Sequence, residues 1–307
     1  HLSIRRQRQM CIRDRHKAGF VNIVGNPNVG KSTLMNQLVG EKLSIATFKA
    51  QTTRHRIMGI VNTENTQIVF SDTPGVLKPN YKMQEMMLQF SESALADADI
   101  LLYVTDVVED PEKNMDFLEK VSKMSIPVIL LINKIDESDQ KTLGNLVTKW
   151  HGLLPNAEIL PISAKNKFGV DILLKRVHEL LPESPAFFDK DQLTDKPAKF
   201  FVSEIIREKI LRYYDKEIPY SVEVVIERFK EDDRQIHISA IIYVERSSQK
   251  GIIIGHQGMA LKKVSTEARK SLERFFDKKI FLETFVKVDK DWRNSQKELK
   301  HFGYSPE

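Results

Sequence analysis

The chain has 307 residues, 41% of them apolar and 29% charged, a length and composition that suit two ordinary globular domains. Its apolar runs, such as Ile126–Ile132, are far shorter than the roughly 20 residues that a membrane-spanning helix requires, so no transmembrane segment is predicted. The only cysteine is Cys11, which excludes a disulfide framework and a cysteine-based metal site in the rest of the chain and fits a cytoplasmic protein.

The formal net charge of +5 is distributed unevenly along the chain. Residues 18–194 carry 18 basic and 22 acidic side chains, whereas residues 195–307 carry 23 basic and 19 acidic ones. Residues 18–194 are therefore acidic and residues 195–307 basic, while residues 1–17 carry the remaining +5. Such an asymmetry between the two main parts indicates domains with different partners.

The first 15 residues, His1–Arg15, differ from the rest of the chain. They are basic, lack an amphipathic period, and contain neither the apolar core nor the cleavage site of a signal peptide. They resemble a translated sequencing-adapter read-through, and we expect residues 1–16 to be a non-native or disordered tail. A disordered basic arm that contacts nucleic acid is the alternative.

Short apolar segments alternate with segments of helical period from Phe20 to Leu181. The predicted strands are Phe20–Val24, Arg56–Asn62, Gln67–Ser71, Ile100–Asp106, Pro127–Asn133 and Glu158–Pro161. The predicted helices include Lys31–Leu38, Lys82–Ala96, Asn114–Lys123 and Asp171–Leu181. This alternation predicts an α/β domain at residues 17–181, with a mostly parallel sheet, helices on both faces and ligands at the strand ends.

The segment Pro182–Pro197 is rich in Pro and Asp, which predicts an interdomain linker at residues 182–199. The pattern of predicted helices and strands changes after it. Beyond it the predicted order is a helix, two paired strands, a long helix and a last strand. These elements are Phe200–Tyr214, Tyr220–Phe229, Gln235–Val244, Met259–Asp277 and Ile280–Val288. A compact α+β domain is therefore expected at residues 200–307.

A phosphate-binding loop of the form GxxxxGKS lies between the first predicted strand and the first predicted helix. Backbone N–H groups of such a loop face the phosphates, and the following helix N-terminus adds a favourable dipole. Lys31 is expected to reach the β- and γ-phosphates, and the Ser32 hydroxyl to ligate Mg²⁺. The expected nucleotide contacts here are Gly25, Asn26, Pro27, Asn28, Val29, Gly30, Lys31, Ser32 and Thr33.

Three further motifs follow in the order that a GTPase needs, each at the end of a strand. In the first, Asp72, Thr73, Pro74, Gly75 and Val76, the carboxylate can hold Mg²⁺ through water and the Gly75 amide can sense the γ-phosphate. In the second, Asn133, Lys134 and Asp136, the last carboxylate can accept two N–H groups of guanine that adenine lacks. In the third, Ser163, Ala164 and Lys165 are expected to line the base. Each string alone is typical of a turn or a solvated loop, but together they predict GTP binding.

The expected catalytic residues are Lys31, Thr53 and Gly75. Thr52 or Thr53 is the candidate threonine that completes the Mg²⁺ shell, and Thr53 is favoured because it directly precedes the residue that leads into the next strand. Some GTPases carry a glutamine after the Asp-Thr-Pro-Gly string to orient the attacking water, whereas this chain has Val76. We therefore expect slow intrinsic hydrolysis.

The second domain carries the signature of an RNA-binding loop. An apolar run ends in Gly-x-x-Gly at residues 255–258, and a basic amphipathic helix follows. The GxxG loop of KH domains lets the RNA backbone approach closely, and basic side chains favour phosphates. A plain turn is the simpler interpretation of the loop alone. The expected RNA contacts are Gly251, Ile254, Gly255, His256, Gln257, Gly258, Lys262, Lys263 and Arg269.

Taken together, these motifs resemble the bacterial Era GTPases, of the TrmE-Era-EngA superfamily, over essentially residues 17–304. The likeness rests on residues 25–32, 51–56, 72–76, 133–136, 191–195, 205–210 and 251–258. The resemblance implies a P-loop GTPase domain followed by a type II KH domain, a cytoplasmic protein that can associate peripherally with the inner membrane, and a monomer.

The resemblance also implies partners and cofactors. These are GTP and GDP, Mg²⁺, and the 16S rRNA near its 3′ end in the 30S subunit, whose maturation the protein would assist while its nucleotide state gates RNA binding. In related GTPases an asparagine at the position of Asn28 helps to hold K⁺, and a purely turn-stabilising role is the alternative. Two other functions stay open at this point: an RNA-binding scaffold with vestigial hydrolysis, and a membrane-associated regulatory GTPase.

Overall fold

The computed structural model describes residues 16–304, so the predicted tail at 1–15 lies outside the described residues. The described chain forms two compact units. The first consists of residues 16–46, Thr53–Lys78 and Met87–Asp195, and the second of Thr47–Thr52, Pro79–Met86 and residues 196–304. Two short segments from the first half of the chain therefore belong to the second unit.

The first unit is built on a six-stranded sheet of order β2-β3-β1-β4-β5-β6. Its strands are β1 Lys17–Gly25, β2 Ile57–Asn62, β3 Thr66–Asp72, β4 Ile100–Asp106, β5 Val128–Asn133 and β6 Glu158–Pro161. All neighbours pair in parallel except β2, which runs antiparallel to β3 at the edge of the sheet. The parallel strands are mostly buried runs of Val, Ile and Leu, as expected for strands that are covered on both faces.

Helices cover both faces of this sheet. They are α1 Lys31–Val39, α2 Lys82–Ala96, α3 Met115–Ser122, α4 Gln140–Leu153 and α5 Val170–Leu180. Only the part of α2 from Met87 onward belongs to the first unit. On one face, Val24 and Tyr103 join a core cluster with side chains of α2, α3 and α4. Strand neighbours in register share a face, so Val21, Phe70 and Gly59 lie on the other face, where α1 packs. The predicted P-loop GTPase architecture is confirmed.

The segment predicted as a linker is attached to the first unit up to Asp195. The amide oxygen of Gln67 accepts the N–H groups of Phe187 and Phe188, at 2.7 and 2.9 Å. Further on, the N–H of Ile60 on β2 donates to the carbonyl of Leu193 at 2.8 Å. A segment rich in Pro and Asp lacks periodicity because it forms no regular element, yet its backbone is paired with the sheet edge. The C-terminal and largest segment of the second unit accordingly begins at Lys196.

The second unit contains a three-stranded sheet of order β7-β8-β9. Its strands are β7 Glu223–Glu231, β8 Gln235–Val244 and β9 Lys279–Val288. β7 and β8 pair antiparallel, whereas β8 and β9 pair in parallel. The parallel pair requires a long crossover between them, and two helices supply it.

The helices of the second unit are α6 Ala198–Tyr213, α7 Ile218–Ser221, α8 Ser247–Ile254, α9 Met259–Phe276 and α10 Gln296–His301. One core cluster joins apolar side chains of α6, α8 and α9 to the sheet, among them Ile206, Ile253, Val264 and Ile238. The order α6-β7-β8-α8-α9-β9 is that of the predicted type II KH domain, which is confirmed.

Four helices were not predicted. α7 is a short helix at Ile218–Ser221, and its last two residues fall in the predicted strand Tyr220–Phe229. α4 contains Gly144 and several polar residues and buries only Trp150, so its apolar period is weak. α8 contains Gly251 and three consecutive isoleucines, residue types with modest or poor helix propensity. The side-chain oxygen of Gln249 nevertheless accepts the N–H groups of Glu245 and Arg246, at 3.0 and 3.1 Å, which fixes the start of that helix. The short α10 begins at Ser295, whose hydroxyl accepts the N–H of Glu298.

Candidate nucleotide-binding and RNA-binding sites

The phosphate-binding loop connects β1 to the N-terminus of α1 and requires two left-handed residues. Asn28 has φ 67° and Gly30 has φ 97°. A Cβ atom at Gly30 would lie 2.2 Å from Asn133 Nδ2, so only glycine fits between this loop and the β5 motif. The loop therefore places backbone N–H groups and the dipole of α1 at one point, which is the arrangement that favours a phosphate.

Lys31 is 6% exposed and lies across this loop. Its ammonium group donates to the carbonyls of Gly25 and Asn26, at 3.0 and 2.7 Å. Burial lowers the pKa of Lys31 to about 8, against the opposing effects of the Asp72 and Glu109 carboxylates. Bound phosphates would favour the charged ammonium, since their negative charge offsets the cost of its burial.

This lowered pKa predicts a pH dependence of nucleotide binding. Above pH 8 the unbound Lys31 is mostly neutral, so binding must add a proton, and affinity falls as pH rises. We expect GDP affinity in the presence of EDTA to fall about tenfold between about pH 7 and pH 9. Isothermal titration in two buffers of different ionisation enthalpy would report the proton uptake. A Lys31→Arg variant should lose this dependence, and a wild-type affinity that stays flat would contradict the prediction.

The three predicted Mg²⁺ ligands lie together. Ser32 Oγ donates to Asp72 Oδ2 at 2.8 Å and lies 2.8 Å from Thr53 Oγ1, which is itself 3.4 Å from Asp72 Oδ2. The other oxygen, Asp72 Oδ1, is buried and has no hydrogen-bond partner within the described part of the chain. Burial raises the pKa of Asp72, and Lys31 opposes that rise. Two hydroxyls and a carboxylate with one unsatisfied oxygen fit a hard cation such as Mg²⁺.

Thr52, the alternative to Thr53, has a different environment. Its hydroxyl donates to the carbonyl of Lys49 at 2.5 Å and lies 2.7 Å from Thr47 Oγ1, so it closes a turn of its own segment. The geometry therefore favours Thr53 as the metal ligand.

The residues after Asp72 are held by hydrogen bonds to β1, to the phosphate-binding loop and to α2. Thr73 Oγ1 donates to the carbonyl of Ile23 at 2.8 Å, and the carbonyl of Pro74 accepts Ser91 Oγ at 2.8 Å. Val76 is 4% exposed, and its side chain packs in the core cluster beside α2 and α3. Its N–H donates to the carbonyl of Gly25 at 3.0 Å. The Val76 side chain can therefore take no part in orienting water.

The two base-recognition motifs meet at the ends of β5 and β6. Asn133 is buried, donates to the carbonyl of Val29 at 2.8 Å and accepts the N–H of Ala164 at 2.9 Å. Ser163 Oγ donates to Asp136 Oδ1 at 2.6 Å, which fixes a carboxylate that is otherwise exposed. Lys134 adopts φ 61° and forms an ion pair with Asp106 at 2.6 Å, while Lys165 is exposed.

The predicted RNA-binding loop lies between α8 and α9 in the second unit. Gly255 adopts φ 71° and ψ −178°, and a Cβ atom there would lie 2.6 Å from the Ala260 Cβ. His256 and Gln257 at the tip are exposed. On α9, Lys262 and Lys263 are exposed, whereas Arg269 forms an ion pair with Glu273 at 2.7 Å. The predicted Gly251 and Ile254 belong to α8 rather than to a loop.

Four residues that are not among the predicted contacts lie beside these candidate sites. Ile252 and Met259, on either side of the GxxG loop, are 49% and 59% exposed, which is unusual for large apolar side chains. Glu109 and Asn114 lie beside Asn26 of the phosphate-binding loop. Glu109 and Asn114 could be identified only from their three-dimensional position beside Asn26, which no local sequence pattern encodes.

Two other kinds of site are absent from residues 16–304. No group of three or more His, Cys, Asp or Glu side chains there could hold a metal ion. No helix among these residues is long and apolar enough to cross a membrane.

Comparison with known proteins identifies the families of both domains. Residues 20–134 match the family described as 50S ribosome-binding GTPase, and residues 217–293 match the KH domain family. The chain is 46% identical to GTPase Era of Geobacter sp. (strain M21) over 290 residues, 94% of this chain and 98% of the relative. It is 44% identical to GTPase Era of Clostridium kluyveri over 94% of this chain and 99% of the relative.

Two solved structures are similar over almost the whole chain. One is Era in complex with MgGDPNP and nucleotides 1506–1542 of 16S ribosomal RNA, with 38% identity, a TM-score of 0.91 and coverage of 95% of this chain and 100% of the other. The other is a single-residue variant of Aquifex aeolicus Era bound to GDP.AlF4⁻, with 37% identity, a TM-score of 0.90 and coverage of 94% and 100%. On this sequence and structural evidence, the chain belongs to the Era family and is a GTPase with a C-terminal KH domain.

Proposed function

We propose that this GTPase binds the 16S rRNA near its 3′ end through its KH domain and acts in maturation of the 30S subunit, with its nucleotide state gating RNA binding. The observation that carries the proposal is the similarity of both domains to an Era protein whose structure holds nucleotides 1506–1542 of 16S rRNA. A KH domain with a complete GxxG loop supports single-stranded RNA as the ligand.

The surface around the GxxG loop has the chemistry that such a ligand needs. Lys262 and Lys263 supply positive charge beside the loop, and the Lys263 ammonium lies 4.5 Å from the centre of the Tyr213 ring. The exposed side chains of Ile252 and Met259 offer apolar surface to bases, while the glycines let the backbone approach. We propose that these residues, with Gly255–Gly258, form the RNA surface.

Neutralising the two lysines should weaken RNA binding. We expect Lys262→Ala/Lys263→Ala to lower affinity for an RNA of 16S nucleotides 1506–1542 by about tenfold or more and to reduce the salt slope by about 2. Fluorescence anisotropy at several salt concentrations would measure both. Lys113→Ala/Lys123→Ala, which removes two exposed lysines from the first unit, is the matched control. Wild-type affinity in the KH variant would contradict the assignment, and an equal affinity for a scrambled RNA would contradict the choice of 16S rRNA.

Contacts within the second unit supply a route for gating. Residues 47–52 directly precede Thr53, and Lys49 forms an ion pair with Asp215 at 2.8 Å and donates to the carbonyl of Tyr214. The Tyr214 hydroxyl donates to the carbonyl of Ile253 at 2.6 Å, two residues before Gly255. A change in segment 47–52 that follows the state of Thr53 would therefore act on the residues that hold the RNA loop.

The gating proposal requires that RNA affinity differ between the GTP-analogue, GDP and nucleotide-free forms. Equal affinity in all three would overturn it. Lys49→Ala should reduce the difference between forms while leaving GTP hydrolysis intact, because Lys49 lies outside the phosphate and base sites.

Mg²⁺ is the proposed cofactor, held by Ser32, Thr53 and Asp72. When bound, the ion supplies positive charge to the β- and γ-phosphate oxygens and neutralises the charge that develops there. The chain's own contribution is to place two hydroxyls and a carboxylate at one point, beside the Lys31 ammonium and the N-terminus of α1.

We further propose that Asn28 helps to hold K⁺. Asn28 is exposed at the tip of the phosphate-binding loop in a left-handed conformation, which also suits a turn-stabilising asparagine. Hydrolysis should be faster in K⁺ than in Na⁺, and Asn28→Ala should remove that difference. Equal rates of the wild-type protein in the two salts would leave only the turn role.

Action in the cytoplasm is part of the proposal. Peripheral association with the inner membrane and a monomeric state stay predictions.

A further inference from the structure

Asn114 occupies the N-cap position of α3, but its side chain does not cap that helix. Asparagine is among the preferred N-cap residues because its side-chain oxygen accepts backbone N–H groups of the first turn. Here no such bond is present, and the backbone of Asn114 has φ −135° and ψ 59°. The side chain is turned towards the phosphate-binding loop instead, which indicates a use other than helix capping.

The Asn114 amide joins the phosphate-binding loop to the residue after Gly75. Asn114 Nδ2 donates to Asn26 Oδ1 and, at 3.2 Å, to the carbonyl of Val76. The N–H of Val76 in turn donates to the carbonyl of Gly25 at 3.0 Å. Val76 is therefore held at two points: its N–H by the loop that binds phosphates, and its carbonyl by Asn114, whose amide also bonds Asn26 of that loop.

Glu109 fixes the other end of the Asn26 side chain. The Glu109 carboxylate accepts a hydrogen bond from Asn26 and another from Thr105 Oγ1, the latter at 2.9 Å. Burial raises the pKa of Glu109, and these two hydrogen bonds oppose that rise by favouring the charged form. Asn26 thus donates to Glu109 and accepts from Asn114, so its amide is oriented from both sides.

This arrangement bears on the absence of a glutamine after Gly75. The Val76 side chain is packed in the hydrophobic core, so only main-chain groups at Gly75 and Val76 can face the γ-phosphate and the attacking water. We propose that Asn114 is a positioning residue for GTP hydrolysis that holds the Val76 main chain against Asn26, and that Glu109 acts on the same Asn26 side chain.

Positioning matters in this reaction because the protein supplies little covalent chemistry. The water oxygen forms a bond to the γ-phosphorus while the bond to the β–γ bridging oxygen breaks, its electron pair leaves with GDP, and the proton of the water passes to the released phosphate or to solvent. A misplaced main chain would leave nucleotide binding intact but lower the rate of this step, since shifts of about 1 Å can cost up to about 10²-fold in rate.

Two variants of Asn114 test the proposal in the full-length protein. Asn114→Ala removes the donor, and Asn114→Asp removes it too while keeping a residue that is equally preferred at an N-cap. We expect both to lower kcat for GTP by about tenfold or more with KM for GTP and affinity for GDP changed less than about twofold. Asn114→Asp, which keeps the helix start intact, decides the matter if Asn114→Ala proves unstable.

A double-mutant cycle adds a readout that a merely structural role would not produce. Because Asn26 and Asn114 belong to one bridge, the kcat loss in Asn26→Ala/Asn114→Ala should be close to that of the worse single variant rather than the product of the two. Asn156→Ala, an exposed asparagine in the loop before β6, is the control and should hydrolyse GTP at the wild-type rate. Wild-type kcat in both Asn114 variants, or a loss that appears in KM and GDP affinity to the same extent, would overturn the proposal.

Discussion

Replacing Lys31 by alanine is expected to slow GTP hydrolysis at saturating GTP by about 10³-fold. Lys31 is the buried cation of the phosphate-binding loop, held by the carbonyls of Gly25 and Asn26. Its ammonium would face the charge that develops between the β- and γ-phosphates, where water is excluded and a fixed charge has its largest effect. Single-turnover measurements with excess protein would separate this loss from weaker GTP binding.

The nucleotide-free fold should survive this substitution. The lowered pKa of Lys31 shows that burial disfavours its charge, so removing the ammonium also removes a desolvation cost. Its loss should raise the pKa of Asp72 further, because Lys31 is the largest of the contributions that lower it. We expect a Tm close to that of the wild type. Lys113→Ala is the control for a surface lysine, and a Lys31→Ala variant that hydrolyses GTP within tenfold of the wild-type rate would refute the assigned role.

Replacing Asp136 by alanine is expected to weaken GDP binding by about 10²- to 10⁴-fold, because two hydrogen bonds to a charged acceptor contribute about 1.5–3 kcal/mol each. The hydroxyl of Ser163 orients the carboxylate, at 2.6 Å from Oδ1. Guanine offers two adjacent N–H donors to such a group, and adenine does not. Affinity for ADP should therefore change little, and selectivity for guanine should be lost.

Competition titrations with GDP and ADP would measure this selectivity directly. The neighbouring exposed carboxylate, Glu137, provides the matched control, since Glu137→Ala removes the same charge one residue away. If the two variants lost GDP affinity equally, general electrostatics and not base recognition would explain the effect.

The parts of the site that could be predicted from sequence are those whose residues are close together in the chain. The loop from Gly25 to Ser32 needs a strand, a left-handed turn and a helix N-terminus in succession, and the sequence encodes all three locally. The Asp72 and Asn133 motifs were placed correctly because parallel strands end at the same sheet edge, which brings distant motifs together. Ser163 and Asp136 meet for the same reason.

What could not be predicted depends on contacts between distant segments. Asn114 is simply the first residue of a predicted helix in the sequence, and only the structure shows its amide bonded to Asn26, 88 positions earlier. The sequence places segment 47–52 within the predicted GTPase domain, residues 17–181. The structure assigns it to the second unit, where Arg207 donates to the carbonyl of Thr52. Neither contact leaves a periodic or compositional trace in the sequence.

The pairing of residues 193–195 with β2 has a consequence for how this protein can be divided. β2 is an edge strand, and exposed edge strands present unpaired backbone groups to which other chains can add. In this chain Leu193 and Asp195 accept the N–H groups of Ile60 and Met58, and Thr194 Oγ1 donates to the Met58 carbonyl. A fragment that ends at residue 181 would leave the backbone groups of β2 unpaired and is expected to self-associate. A fragment that ends after Asp195 would keep those groups paired with residues 193–195.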